Sequence, residues 1–402
     1  MTRTSTAGSS RRRAEASADK RPRTDARSRV PRLLIATTDF PPSRGGIQRA
    51  LHELTHRLEE RWSITVIAPK EEGAASHDAG VAFSVMRTRA GWADSRLRVL
   101  AEMARLTARA RAEILLAGHL NALPPLLVAG RGSPTVALIH GSEVWAPRTR
   151  LLTRVLGTRV DRAMAVSRFT AEEAAKAGIP GGRIVVTPLG ATPPVIPERA
   201  GAILRELGLI RGGEIVPFFL TVSRLTEPHK GHDAFLRALP AVLARFPDVR
   251  YVIAGEGHLA GELRALSSRL AVEHAVLMPG EVDEETKTAL MASCRAFVML
   301  SRESRRPALF EGFGIAYIEA AMAGRPSLAG NSGGVADSVL DGETGVLVDP
   351  ISLPEIVEGA ARLLEDAAYA DRLGERARAR ALRDYTWTAA VERMERCMES
   401  LL

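Results

Sequence analysis

Three stretches combine glycine turns, charged side chains and the start of a helical pattern, an arrangement suited to chemistry on phosphate and sugar groups. The sharpest is Glu311-Gly312-Phe313-Gly314-Ile315-Ala316-Tyr317-Ile318-Glu319. Gly312 and Gly314 make a flexible turn, and a helix beginning near Phe313 presents unpaired backbone N–H groups between two carboxylates. If helical throughout, the eight steps from Glu311 to Glu319 rise about 12 Å, roughly the span from a sugar hydroxyl across a diphosphate to a ribose. Each carboxylate can accept two hydrogen bonds from a diol, as the ribose-binding acid of dinucleotide folds does. Two acids on an exposed helix face are the plainer alternative, and Ala320, Ala321 and Met322 count against it by marking the helix as packed.

A second stretch follows the strand-like run Phe218–Val222, where Ser223-Arg224 leads to Lys230-Gly231-His232-Asp233. Two cations six positions apart on one loop can converge on a diphosphate, Arg as a fork and Lys as a point charge. Taken alone they equally suit a solvated surface loop. The third stretch runs from Thr37 to Gln48, with Gly45-Gly46 between strand and helix. Paired glycines there let backbone N–H groups approach an anion, or simply make a tight turn. Downstream, Gly330-Asn331-Ser332-Gly333-Gly334 repeats the design of strand end, glycine turn and helix start, and Gly333 and Gly334 either line the same pocket or shape a turn.

These loops need rigid elements behind them. From Pro31 onward, short β-like runs alternate with helical patterns, the rhythm of a parallel sheet wrapped by helices, and it occurs twice. The expected strands are Arg32–Thr37, Ser63–Ala68, Val81–Arg87, Glu113–Leu116, Thr135–Ile139, Ala163–Val166 and Ile184–Thr187. In the second half they are Phe218–Val222, Arg250–Ala254, Ala275–Met278, Ala296–Leu300, Pro326–Ala329 and Val346–Val348. Between the halves, Pro188 to Glu198 holds four prolines, which can continue neither helix nor ladder. The expected division is a basic tail at 1–30, a first domain at 31–190, a linker at 191–213, a second domain at 214–384 and a closing C-terminal helix at 385–402. Two doubly wound domains facing one another bind ligands in the cleft at the carboxyl ends of their strands.

Composition narrows the classes. With 402 residues, 46% hydrophobic and 25% charged, the chain is ordinary globular protein rather than a disordered, collagenous or disulfide-stapled one. Its longest largely apolar stretch, Ile215–Val222, is far short of the roughly 20 residues of a membrane-spanning helix, and the N-terminus lacks an apolar signal core. Cytoplasmic placement is the expectation. Cys294 and Cys397 read as buried packing residues in a reducing compartment, and no Cys/His cluster has zinc-ligand spacing. The net charge of +8 invites a nucleic-acid reading. Residues 1–32 hold ten Lys/Arg against three Asp/Glu, which leaves the rest of the chain at +1. The tail reads as a disordered, solubilising extension, the alternative being a phosphate-rich partner.

Taken together, Glu311-x7-Glu319, Arg224 with Lys230, and the run GNSGG resemble the retaining glycosyltransferases of the GT-B fold, family four, and among them the phosphatidylinositol mannosyltransferase-like members. The likeness runs from about Pro31 to the C-terminus. It implies two Rossmann-like domains, the first binding acceptor and the second binding a nucleotide sugar. By this resemblance Gly45 and Gly46 belong to the loop over the donor phosphates. His140, which alone would read as structural, corresponds to the active-site histidine near the transferred sugar, and Arg224 and Lys230 to the pair neutralising the leaving diphosphate. Glu311 corresponds to the acid on the sugar hydroxyls, with backbone contacts from Phe313, Gly314 and Ile315, Glu319 to the acid on the ribose, and Val282 to a main-chain contact with the base.

The activity implied is transfer of a hexosyl group from GDP-mannose or a UDP-sugar to a hydroxyl of a lipid, glycan or small molecule, with retention of configuration. No cofactor is expected beyond the donor. Many unrelated transferases hold a divalent metal at the diphosphate with an Asp-x-Asp pair; this sequence has none, which leaves the work to Arg224 and Lys230. An epimerase or phosphorylase on the same architecture is the alternative, and a nucleic-acid-binding protein is disfavoured because the basic excess sits in the tail. Arg96 to Arg111 reads as a basic amphipathic helix. Its apolar positions Leu97, Leu100, Ala101, Ala104 and Ala108 suit packing on the sheet, the alternative being peripheral contact with anionic lipid at the inner membrane face.

Overall fold

The computed structural model describes residues 30–43, 45–305 and 308–402. The basic tail lies outside the described residues. Strands β1 (Arg32–Ala36), β2 (Ser63–Ala68), β3 (Ser84–Arg87), β4 (Ile114–Ala117), β5 (Thr135–Ile139), β6 (Arg162–Ala165) and β7 (Ile184–Val186) form a parallel sheet in the order β3-β2-β1-β4-β5-β6-β7. A two-residue ribbon follows, β8 (Ile210–Arg211) with β9 (Glu214–Ile215). The second parallel sheet uses β10 (Phe218–Val222), β11 (Arg250–Ala254), β12 (Val276–Gly280) and β13 (Ala296–Met299). Another ribbon, β14 (Ser304–Arg305) with β15 (Ala308–Leu309), precedes β16 (Ser327–Gly330) and β17 (Gly345–Val348), and the sheet order is β12-β11-β10-β13-β16-β17. All thirteen expected strands are present, with ends shifted by a few residues. The largest shift is in β3, which begins at Ser84 because residues 82 and 83 bend away from the ladder.

In each sheet the strand order reverses beside its first strand. Leu34 is paired with Thr65 of β2 on one side and Leu115 of β4 on the other, and Leu220 is likewise flanked by Val252 and Phe297. Crevices open at such reversals, outside the carboxyl ends of the strands. The loops after β1, β5 and β10 all start there.

Alternation along β1 sends Leu33 and Ile35 to one face with Leu51, Leu54 and Leu58, and Leu34 and Ala36 to the other with Val99, Met103 and Leu126. The helix Trp387–Glu399 begins at a Thr386 cap whose hydroxyl accepts from Ala389 N–H at 3.1 Å. It returns to the first half of the chain. Trp387, Met394 and Met398 are buried in the same core as Leu33 and Leu54, so this helix is integral to that core rather than an outer cover.

The basic helix spans Arg96–Arg109, but its buried edge is Val99, Met103 and Thr107. Leu97 is 81% exposed and Ala101 is also exposed, so the packed face expected from Leu97 and Ala101 is rotated away from the sheet. Residues at i, i+4 and i+8 form one stripe, and Val99 sets that register. Cys294 and Cys397 are both buried free thiols. Among the described residues, no helix is long and apolar enough to cross a membrane.

Candidate active site

After β10 the chain passes through Ser223 and Arg224 into a single 3₁₀ turn, Pro228–Lys230, and then into the helix His232–Arg245. Glu227 stands between the two cations, its Oε1 lying 3.7 Å from Arg224 Nη2 and its Oε2 3.4 Å from Lys230 Nζ. Burial pushes the Glu227 carboxyl up, but Lys230, His229 and Arg224 together hold it below the ordinary carboxylate range. It is the counter-charge of both. The Arg224 guanidinium carbon lies 3.7 Å from the point a Cβ on Gly45 would occupy, so the glycine loop of the first half and the arginine of the second meet across the cleft.

Glu311 is half-buried and lines the cleft. Burial raises its carboxyl above the ordinary range, offset in part by Lys230 and by the Phe313 and Gly312 N–H groups. Gly314 caps the helix Ile315–Met322 at φ +80°, a left-handed conformation that costs glycine little. The segment from Glu311 to Glu319 is therefore a turn followed by a helix, not the continuous helix assumed for the 12 Å rise. Glu319 Oε1 accepts from Arg49 Nη1 at 2.8 Å and from Lys287 Nζ at 3.2 Å, partners from opposite halves of the chain.

His140 follows β5. Its Nε2 lies 2.8 Å from Gly118 O, and a carbonyl can only accept, so that nitrogen carries the proton. Nδ1 is left with a free lone pair, enclosed and without a partner among the described residues. Burial holds the imidazole below its ordinary range, which keeps it neutral near pH 7.

His232, at the start of its helix, shares a 2.8 Å hydrogen bond with Ser223 Oγ. Burial, helped by Lys230, lowers it to about 4. The unfolded chain therefore binds this proton between about pH 6.5 and 4 while the folded chain does not, so stability falls as pH falls through that window. Denaturant titrations should show about 2 kcal/mol less stability from this residue at pH 5 than at pH 7. A His232→Gln variant should lose that portion of the slope, and an unchanged slope would rule the assignment out.

A cleft of about 870 Å³ gathers Gly45, Gly46, His140, Arg224, Lys230, Val282, Glu311, Phe313, Gly314, Ile315 and Glu319 along its walls. Gly333 and Gly334 are not on that wall. They pack behind it, where Gly334 N–H donates to Glu311 O at 2.8 Å and holds the Glu311 turn in place.

Residues 44–193 match Glycosyltransferase Family 4, and residues 213–380 match Glycosyl transferases group 1. A GDP-mannose-dependent α-(1-6)-phosphatidylinositol monomannoside mannosyltransferase of Mycolicibacterium smegmatis is 34% identical over 367 residues, covering 88% of this chain and 95% of that protein. The chain is a group 1 glycosyltransferase. A GDP-mannose-dependent monoacylated α-(1-6)-phosphatidylinositol monomannoside mannosyltransferase of Corynebacterium glutamicum is 29% identical, covering 92% of this chain and 98% of its own. The crystal structure of Anabaena HepE in complex with UDP and glucose superimposes with a TM-score of 0.76 at 19% identity, covering 92% and 99% of the two chains. That likeness establishes the GT-B fold.

The sequence leaves unmarked several residues in and beside this glycosyltransferase's cleft. Glu227, Lys287 and Arg49 acquire meaning only through distances, since nothing in their local sequence separates them from surface charges. His52 and His77, from successive helices, and Trp387, from the last one, also line the cleft. Among the described residues, no group of three or more His, Cys, Asp or Glu side chains is placed to hold a metal ion.

Proposed function

We propose that this glycosyltransferase moves mannose from GDP-mannose to a hydroxyl of a phosphatidylinositol-based glycolipid, with retention of configuration and without a metal ion. The observation that carries the reading is the meeting of Gly45, Arg224 and Lys230 beside Glu311 in one cleft. The donor and acceptor classes follow from the two mannosyltransferases described above, each matched along nearly its full length.

Cleavage of the sugar–phosphate bond puts negative charge on the distal phosphate while positive charge grows on the ring. Fixed cations aimed at that phosphate lower the barrier without reorganising as the reaction proceeds. Arg224 would grip two oxygens, and Lys230 would place a point charge at the end nearer Glu311. Glu311 would accept hydrogen bonds from the sugar hydroxyls, the His140 imidazole would lie beside the transferred sugar, Glu319 would take the ribose, and Val282 would meet the base through its main chain. Acceptor attack from the leaving-group face, with the departing phosphate taking the proton, would retain configuration.

The first half would receive the acceptor. Arg96, Arg98, Arg105 and Arg109 flank the exposed Leu97, a face suited to anionic headgroups at the inner membrane surface.

The test is incubation with radiolabelled GDP-mannose and phosphatidylinositol mannoside in mixed micelles containing EDTA. An α-linked mannolipid is the expected product, and liposome sedimentation in parallel should show binding to acidic vesicles. A β-linked product would exclude retention, dependence on added metal would exclude the cation mechanism, and inactivity towards every lipid acceptor would exclude the acceptor class.

Glu319→Ala should weaken GDP binding by about tenfold to a hundredfold, the cost of losing a charged hydrogen-bond acceptor. Calorimetry giving wild-type affinity would remove Glu319 from the ribose site.

A further inference from the structure

We infer that Arg49 is a positioning residue for the ribose end of the donor: reaching across from the first half of the chain, its guanidinium holds one oxygen of Glu319 and leaves the other for the diol of the nucleotide. The inference rests on the assignment of Glu319 to the ribose made above.

Arg49, on the helix Gly46–Leu58, and Glu319, on the helix Ile315–Met322, both line the cleft. The two cations that reach Glu319 converge on the same oxygen, with Oε1 lying 2.8 Å from Arg49 Nη1 and 3.2 Å from Lys287 Nζ. An ionised carboxylate has about four acceptor sites, two on each oxygen. The cations occupy those of Oε1. Oε2 has no partner among the described residues and, unlike His140 Nδ1, is not enclosed. Its two free sites match a vicinal diol, which donates two hydrogen bonds side by side.

Arg49 does not serve as a third phosphate cation. Its Nη2 lies 3.9 Å from Glu284 Oε1, and that oxygen is 2.8 Å from Lys287 Nζ. Two cations and two carboxylates make a neutral cluster, whereas Arg224 and Lys230 share only Glu227. Nor is the bridge suited to a purely structural role. The Arg49 side chain is 43% exposed, and ion pairs this open add little to folding stability. What it supplies is a link between the two ends of the donor. Arg49 N–H donates to Gly45 O at 3.0 Å, so the residue that holds the ribose acid stands one helical turn from the glycine loop that faces Arg224. A nucleotide that engages Glu319 thereby steadies that loop through the same helix.

The test measures binding of GDP and of 2′,3′-dideoxy-GDP, which lacks the diol, to the full chain by calorimetry. The unaltered protein should prefer GDP by about tenfold to a hundredfold. Arg49→Met removes the charge and keeps a good helix former. It should bind GDP about fivefold to tenfold more weakly and the dideoxy nucleotide within about twofold of the unaltered protein, with an unchanged melting temperature. Arg49→Lys should restore part of the preference, since it returns the charge without the fork. Amide exchange across residues 46–52 should be slower under saturating GDP than under saturating dideoxy-GDP, and Arg49→Met should erase that difference. Equal losses for the two nucleotides, tighter binding of GDP, an undiminished preference or a surviving exchange difference in Arg49→Met would each overturn the inference. Glu319→Gln separates it from the reading beneath it. If Glu319→Gln keeps the full preference for the diol, Glu319 does not meet the ribose and both readings fall; if it loses the preference while Arg49→Met does not, Glu319 keeps its place and the role of Arg49 alone is removed.

Discussion

Arg224→Ala should lower turnover by about 10² to 10³-fold, the loss typical of removing one preorganised electrostatic group from a transition state. The distances explain why the neighbouring lysine cannot substitute. Lys230 is the more enclosed cation, 18% exposed against 56% for Arg224, and its ammonium is already tied to Glu227 at 3.4 Å. When Arg224 is removed, Glu227 loses one of its cations and Lys230 must neutralise it alone, so less positive potential reaches the leaving phosphate. Arg224→Lys should restore part of the rate, since it returns the charge without the fork. Because the group acts on charge that develops as the bond breaks, kcat should fall more than GDP affinity. A purified Arg224→Ala protein with near-normal kcat would remove the guanidinium from the mechanism, and with it the argument that the loop of β10 replaces a metal.

Much of this architecture is legible in the sequence, for identifiable reasons. Strands buried on both faces, such as Leu33-Leu34-Ile35 and Phe218-Phe219-Leu220, announce themselves as unbroken apolar runs, and the glycine turns after them mark their carboxyl ends. The eleven residues singled out from motif and resemblance converge on one cleft because each follows a strand end that the fold brings to the same side. What stayed hidden is pairwise. Glu227 looked like any loop acid until it proved to sit between two cations, and Arg49 gained a role only by reaching Glu319, 270 positions away. The last helix looked peripheral because an amphipathic pattern shows that a face is buried, not against which sheet. Helix register was misjudged at Arg96–Arg109 for a related reason: Leu97 is more apolar than Thr107, yet Thr107 lies on the buried stripe and caps its own hydroxyl on Met103 O at 2.8 Å. The two-residue ribbons are too short to leave any periodicity.

Gly312→Ala should reduce turnover by about 10²-fold while leaving GDP affinity within a few-fold. Gly312 is a point where the two halves touch by backbone. A Cβ there would overlap the carbonyl oxygen of His140 and stand 3.0 Å from Gly141 Cα, and neither is the tip of a side chain that can swing away. Behind it the space is already filled. A Cβ on Gly334 would itself meet Gly312 O, and Gly312 O accepts from Thr170 Oγ1 of the first half at 3.3 Å. The added methyl group must therefore push the His140 loop and the Glu311 turn apart, and a displacement near 1 Å between groups acting on one bond is enough for a hundredfold loss. Val282 and Glu319, the residues proposed to meet the nucleotide, lie outside this turn, Val282 after β12 and Glu319 within the helix Ile315–Met322, so binding of GDP should persist. Gly46→Ala is the steric control, since a Cβ there meets nothing within 4 Å and alanine suits the start of its helix. If Gly312→Ala turned over at the wild-type rate, the close approach of the His140 loop to the Gly312 turn would have no part in catalysis. If it lost GDP affinity as steeply as rate, the two ends of the cleft would be mechanically coupled rather than separately built.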